Sequence, residues 1–134
     1  MISQHAALIY TMVMVSASDS EMTDEELRKI GEVIRSLPVF ADFVTDTLPR
    51  VAADCADILD ETDGLERALD LIEQALPPKL KETAYVLACD VAAADGRIRE
   101  EEAQLLEMLR HRLKIERLIA AAIERGARAR YARA

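Results

Sequence analysis

Val15-Ser16-Ala17-Ser18-Asp19-Ser20-Glu21-Met22-Thr23-Asp24-Glu25-Glu26 returns 76 residues later as Val91-Ala92-Ala93-Ala94-Asp95-Gly96-Arg97-Ile98-Arg99-Glu100-Glu101-Glu102. Val, Ala, Asp, Glu and Glu are identical at matching positions. The hydrophobic register continues beyond the motif: Met22 matches Ile98, Ile30 matches Leu106, Val33 matches Leu109, Leu37 matches Leu113 and Val39 matches Ile115. Each copy reads as an apolar helix, a tight acidic loop, and an amphipathic helix that opens with acids. A repeated unit of this kind buries its apolar face against its neighbour. The expectation is therefore an all-α fold, a single compact bundle of about seven helices. Two of its hairpins are expected to be related by a pseudo-two-fold axis, with their apolar helices buried against each other.

Outward from the repeat, the 3.6-residue period assigns the rest of the chain. The first hairpin is expected at about 4–37, with Ala6, Ile9, Val13 and Ala17 on one face and Leu8, Met12 and Val15 beside them. Thr23 and Glu26 form a capping box for its second helix, in which hydroxyl and carboxylate each satisfy a free backbone N–H. Pro38 ends that helix. Middle helices at about 40–76 carry Leu48, Val51, Cys55 and Ile58, then Leu65, Leu69, Ile72 and Leu76. Asp63 or Thr62 caps the second of them. The second hairpin, about 78–113, follows Pro77-Pro78. Leu87 and Val91 are expected in the central core, facing Ile9 and Val13. A C-terminal helix at about 114–131 turns Ile115, Leu118, Ala122 and Ile123 inward and frays after Gly126.

Length and composition close off other classes. A chain of 134 residues suits one domain. Aromatics at 4%, no Trp and only four Gly and four Pro argue against a sandwich or barrel. Net charge is −8, and it is uneven. From residue 110 onward eight cations meet only Glu116 and Glu124, so that segment is +6 and the preceding body is −14. Such a body repels phosphates, so nucleic acid is not an expected partner. The basic C-terminus is compatible with a solvated helix end, an acidic partner or an anionic membrane surface. Residues 1–18 hold no charge, but no basic region precedes Ala6, and Ala6–Val15 is too short to span a bilayer. No transmembrane segment is expected, and the location is read as cytoplasmic. Cys55 and Cys89 lack a CxxC spacing and are read as free core thiols.

The duplicated Ala-Ala-Asp-Gly-type stretch, Ala93-Ala94-Asp95-Gly96 with Ala17-Ser18-Asp19-Ser20 as its first copy, resembles the TerB-like (tellurite-resistance) family. The run Leu87–Gly96 and the segment Ala122–Arg128 look like a bacterial subgroup of it. The resemblance covers nearly the whole chain. It implies an all-helical fold and an acidic surface proposed to bind divalent cations. It also implies no established enzymatic activity, and a setting in tellurite and other stress responses. Ser20 stands where Gly is usual, and Arg99 stands where a small capping residue is expected. Those departures would make two metal loops unequal.

The candidate metal residues are Asp19 and Glu26 in one copy and Asp95 and Glu102 in the other. In each pair the two stand seven positions apart, with Asp ending one helix and Glu in the first turn of the next. Asp24, Glu25, Glu100 and Glu101 are expected around the rim. Carboxylates with loop carbonyls make a hard oxygen site for Ca²⁺, Mg²⁺ or Mn²⁺. The same residues also have a purely structural reading, since Glu at N3 caps a helix and Asp turns a chain. Asp90 stands in an apolar run and, if buried, needs an Arg, a Lys or a backbone N–H. His5 and His111 belong to no nucleophile motif, and the scattered glycines form no phosphate loop. No catalytic residue and no organic cofactor site is assigned. The function expected is a non-enzymatic helical domain that binds divalent cations or a partner, in a bacterial stress-response setting. The alternatives are a metal-independent interaction module or homodimer and, behind it, a metal-dependent hydrolase.

Overall fold

Ser3 starts the first helix, its hydroxyl accepting a hydrogen bond from the Ala6 N–H at 3.0 Å. From there α1 (Gln4–Ser16) is buried continuously from Ala7 to Ser16, as its apolar sequence requires. Its buried Thr11 hydroxyl is satisfied by donating to the Ala7 carbonyl at 2.9 Å. The computed structural model describes residues 1–17, 22–94 and 96–134. Among these residues the chain forms seven α-helices and no strand. The others are α2 (Asp24–Ser36), α3 (Leu48–Leu59), α4 (Gly64–Ala75), α5 (Pro78–Ala93), α6 (Glu100–Arg112) and α7 (Arg117–Arg130). Two 3-10 turns, Pro38–Phe40 and Thr45–Thr47, carry the chain from α2 to α3.

The layout is set by α1 and α5, which pack on each other at the centre. Around them α3 and α4 cover α1, while α6 and α7 lie against α5. Leu87 on α5 and Ile9 and Val13 on α1 are all buried, as the apolar pattern demands. Each large aliphatic side chain so buried contributes about 1.5–3 kcal/mol relative to exposure. The outer helices are stitched at their edges by charge. Arg112 on α6 reaches Glu66 at 3.0 Å, Glu73 at 3.3 Å and Asp70, all on α4.

The structure departs from the sequence reading at four places. Val91 is half-buried rather than central, because the α5 face it occupies opens into a cleft. Leu118 is 75% exposed and Ala122 is exposed, so neither faces inward. Instead α7 buries Ala120 and Ala127, with Ile123 and Glu124 half-buried between them. Nor does α7 fray at Gly126: it continues to Arg130, fastened by Ala127 and by an ion pair from Arg130 to Asp90. Asp63 precedes α4 as expected, but in a left-handed conformation (φ 60°) and without a side-chain cap.

Candidate functional site

Both amphipathic hairpin helices open on a carboxylate at their third residue. In α2 the capping box forms in full: Thr23 N–H donates to Glu26 Oε1 at 2.8 Å, and Glu26 N–H donates to the Thr23 hydroxyl at 3.1 Å. In α6 only half of it forms. Arg99 N–H donates to Glu102 Oε1 at 2.9 Å, but Arg99 has no side-chain oxygen to return the bond. Its guanidinium approaches the same carboxylate instead, with Nε 3.5 Å from Oε1. The departure noted at Arg99 thus replaces a neutral cap with a cation beside the acid.

Glu26 and Glu102 line one cleft of about 280 Å³, between α2, α5 and α6. Asp90 and Val91 of α5 form its floor, and Lys29, Arg99 and Tyr131 complete its sides. Glu102 is 4% exposed, a rare degree of burial for a carboxylate. Of the predicted metal residues, the structure therefore brings Glu26 and Glu102 to a common cavity. Asp19 and Asp95 lie outside the described residues. The rim candidates Asp24, Glu25, Glu100 and Glu101 are exposed in the first turns of α2 and α6. There they complement the helix dipoles. Glu25 also pairs with Arg28, which holds its carboxyl below the usual range. Among the described residues, no group of three or more His, Cys, Asp or Glu side chains is disposed to hold a metal ion.

Asp90 was legible as an acid in need of a partner, but not as part of this cleft. Arg130 supplies the partner from the far end of α7, and its guanidinium also sits 5.8 Å from the centre of the Tyr131 ring. Lys29 was not foreseen at all. Its signal was its place one turn beyond Glu26 on α2.

On the opposite flank of α5, Tyr85 donates its hydroxyl hydrogen bond to Glu124 Oε2 at 2.5 Å, tying α5 to α7. Burial, and then that carboxylate, push the Tyr85 phenol well above its ordinary range. The thiols of Cys55 and Cys89 are both buried and both pushed up to about 12, chiefly by burial. At neutral pH they are thiols, not thiolates, and poor nucleophiles. Two results are expected. In native protein at pH 8, both cysteines should react with a thiol reagent at least about a hundredfold more slowly than in denatured protein. Stability from keeping them neutral should be complete below about pH 9 and be lost as pH rises toward about 12, since the folded values are the raised ones. Rapid labelling of the native chain at pH 8 would show that the two sites open readily.

The fold and site together define an all-helical domain in which α2 and α6 present capping carboxylates to a shared cleft. Residues 5–124 match the family model described as Tellurite resistance protein TerB, and the chain belongs to that family. No curated protein matches the chain. No solved structure matches it. Among the described residues, no helix is long and apolar enough to cross a membrane.

Proposed function

We propose that this tellurite-resistance-associated helical domain is a non-enzymatic, bacterial, cytoplasmic stress-response module that binds divalent cations at the acidic ends of its two hairpins. The observation that carries the reading is the convergence of Glu26 and Glu102 on one cleft, with Asp90 in its floor. Clustered carboxylates repel one another, and a hard cation relieves that repulsion. The cap geometry leaves room for such a role. Glu26 uses Oε1 for both of its bonds to Thr23, which leaves Oε2 for a cation. Asp19 and Asp95 would complete an oxygen-rich set for Ca²⁺, Mg²⁺ or Mn²⁺. Lys29 and Arg99 beside the acids weaken the attraction, so the affinity expected is modest.

The test is thermal unfolding of metal-stripped protein with and without millimolar Ca²⁺, Mg²⁺ or Mn²⁺. A ligand at a hundred times its Kd stabilises by about 2.7 kcal/mol. The expected result is a rise of several degrees in wild type that disappears in Asp95→Asn and in Glu102→Gln. Gln at N3 still accepts the Arg99 N–H, so the second variant keeps its cap. The rise should also shrink as pH falls through the carboxylate range. An absent rise, or one unchanged in both variants, overturns the reading.

A second reading has its own support. Leu118 and Ile119 stand exposed on α7 beside Ala121 and Ala122, an apolar face with no covering element among the described residues. That face favours a metal-independent interaction module or homodimer, in which Glu26 and Glu102 are caps and nothing more.

A further inference from the structure

A second groove lies on the other side of Tyr131, and its charge is opposite. It encloses about 550 Å³ between the C-terminal end of α5, the start of the loop to α6, and the C-terminal end of α7. Its described lining carries three guanidiniums, those of Arg97, Arg128 and Arg133, and no carboxylate. Among the described residues, neither Arg128 nor Arg133 has an ion-pair partner. This sets them apart from Arg110, Arg112 and Arg130, which are paired with acids of the domain.

Arg133 is also seated. Its guanidinium lies 3.5–3.8 Å from the point where a Cβ on Gly96 would stand. Gly96 itself has φ +82°, a conformation that suits glycine. The loop backbone thus forms one wall on which the arginine rests, and Arg128 faces the same space from α7.

We propose that this groove is a binding site for a phosphate-type oxyanion, held by Arg128 and Arg133 with Arg97 on the loop wall. Guanidinium is the side chain best shaped for such a ligand, since its N–H pairs match two oxygens at once. The opposing fields are smaller. The C-termini of α5 and α7 each contribute about −0.5 charge, together about −1 against the two guanidiniums of Arg128 and Arg133. An anion here relieves the repulsion among neighbouring guanidiniums, as a cation would among the acids across Tyr131. The two sites are independent: this one uses none of the cleft's carboxylates.

The same chemistry is offered by free phosphate and by a phosphate monoester. Calorimetric titration of the full chain with inorganic phosphate and with glycerol phosphate, in low-chloride buffer, separates them. Saturable binding is expected with a Kd on the order of 1 mM for at least one of the two. Binding of inorganic phosphate alone identifies a free-anion site, and binding of the ester identifies a site open to phosphorylated molecules. Either should weaken at least about tenfold in the double variant Arg128→Gln/Arg133→Gln and less than about twofold in Arg117→Gln/Arg125→Gln. The control pair removes the same charge from exposed positions of α7 outside the groove. Circular dichroism confirms that both variants fold. No saturable binding up to about 20 mM, or equal weakening in the two double variants, overturns the proposal: the first means no site, the second only diffuse attraction.

Discussion

Replacing Gly64 with alanine should destabilise the domain by about 3 kcal/mol or more. The reason is backbone, not side chain. A Cβ at residue 64 would stand 2.1 Å from the Ile58 carbonyl oxygen and 2.8 Å from that of Leu59. These atoms form the last turn of α3, and Gly64 opens α4 directly beneath them. A flexible side chain could swing aside, but helix carbonyls cannot do so without losing the turn. The preceding residue, Asp63, already occupies a left-handed conformation, so the connection has little slack to absorb a shift. For a chain of this length each kcal/mol moves the midpoint by about 3–4 °C, so the expected loss is about 10 °C by thermal unfolding. Gly126→Ala provides the contrast. Nothing lies within 4 Å of its Cβ position, and it sits within α7. There alanine should stabilise by about 0.5–1 kcal/mol through helix propensity alone. Equal effects at the two glycines would contradict the packing described at the α3–α4 turn.

The helices were legible because burial and periodicity coincide in most of them. In α1, α2 and α4 the apolar stripe read from sequence is the stripe that is buried or half-buried. The reading failed on α7 because alanine carries almost no directional signal. Leu118 and Ala122 weigh more on a hydrophobic count than Ala120 and Ala127, yet the small pair is what lets α7 approach α5 closely. Polar contacts decided the matter: the Tyr85–Glu124 and Asp90–Arg130 pairs fix the rotation of α7 and leave Leu118 outside. No local pattern encodes a pairing across about forty residues. The candidate site was half legible for a similar reason. Glu26 and Glu102 announced themselves by their place at N3, which is a local rule. That Asp90, Lys29 and Tyr131 border the same cleft depends on how three elements meet, and the basic groove beyond Tyr131 depends on where the chain runs after α7.

Leu87→Ala should cost about 2–5 kcal/mol, the range for emptying a leucine-sized space in a packed interior. Leu87 is 2% exposed on α5, which packs on α1, and both helices are held on other sides, α1 by α3 and α4 and α5 by α6 and α7. A site so enclosed has little freedom to collapse, which favours the upper part of the range. Val91, one turn further on, is the informative neighbour. It is half-buried and lines the carboxylate cleft, so water already reaches one side of it. Val91→Ala removes less buried surface and leaves no closed cavity, and its expected cost is about 1 kcal/mol. Leu118→Ala, at a side chain 75% exposed, should fall within about 0.5 kcal/mol of wild type. Chemical denaturation of the three variants measures the order directly. Leu87 far above Val91, and Val91 above Leu118, is the order that a central α1–α5 pair requires. A loss below about 0.5 kcal/mol at Leu87 would mean that α1 and α5 do not form the core. A large loss at Leu118 would mean that the outer face of α7 is covered in solution, the result expected of a homodimer built on that face.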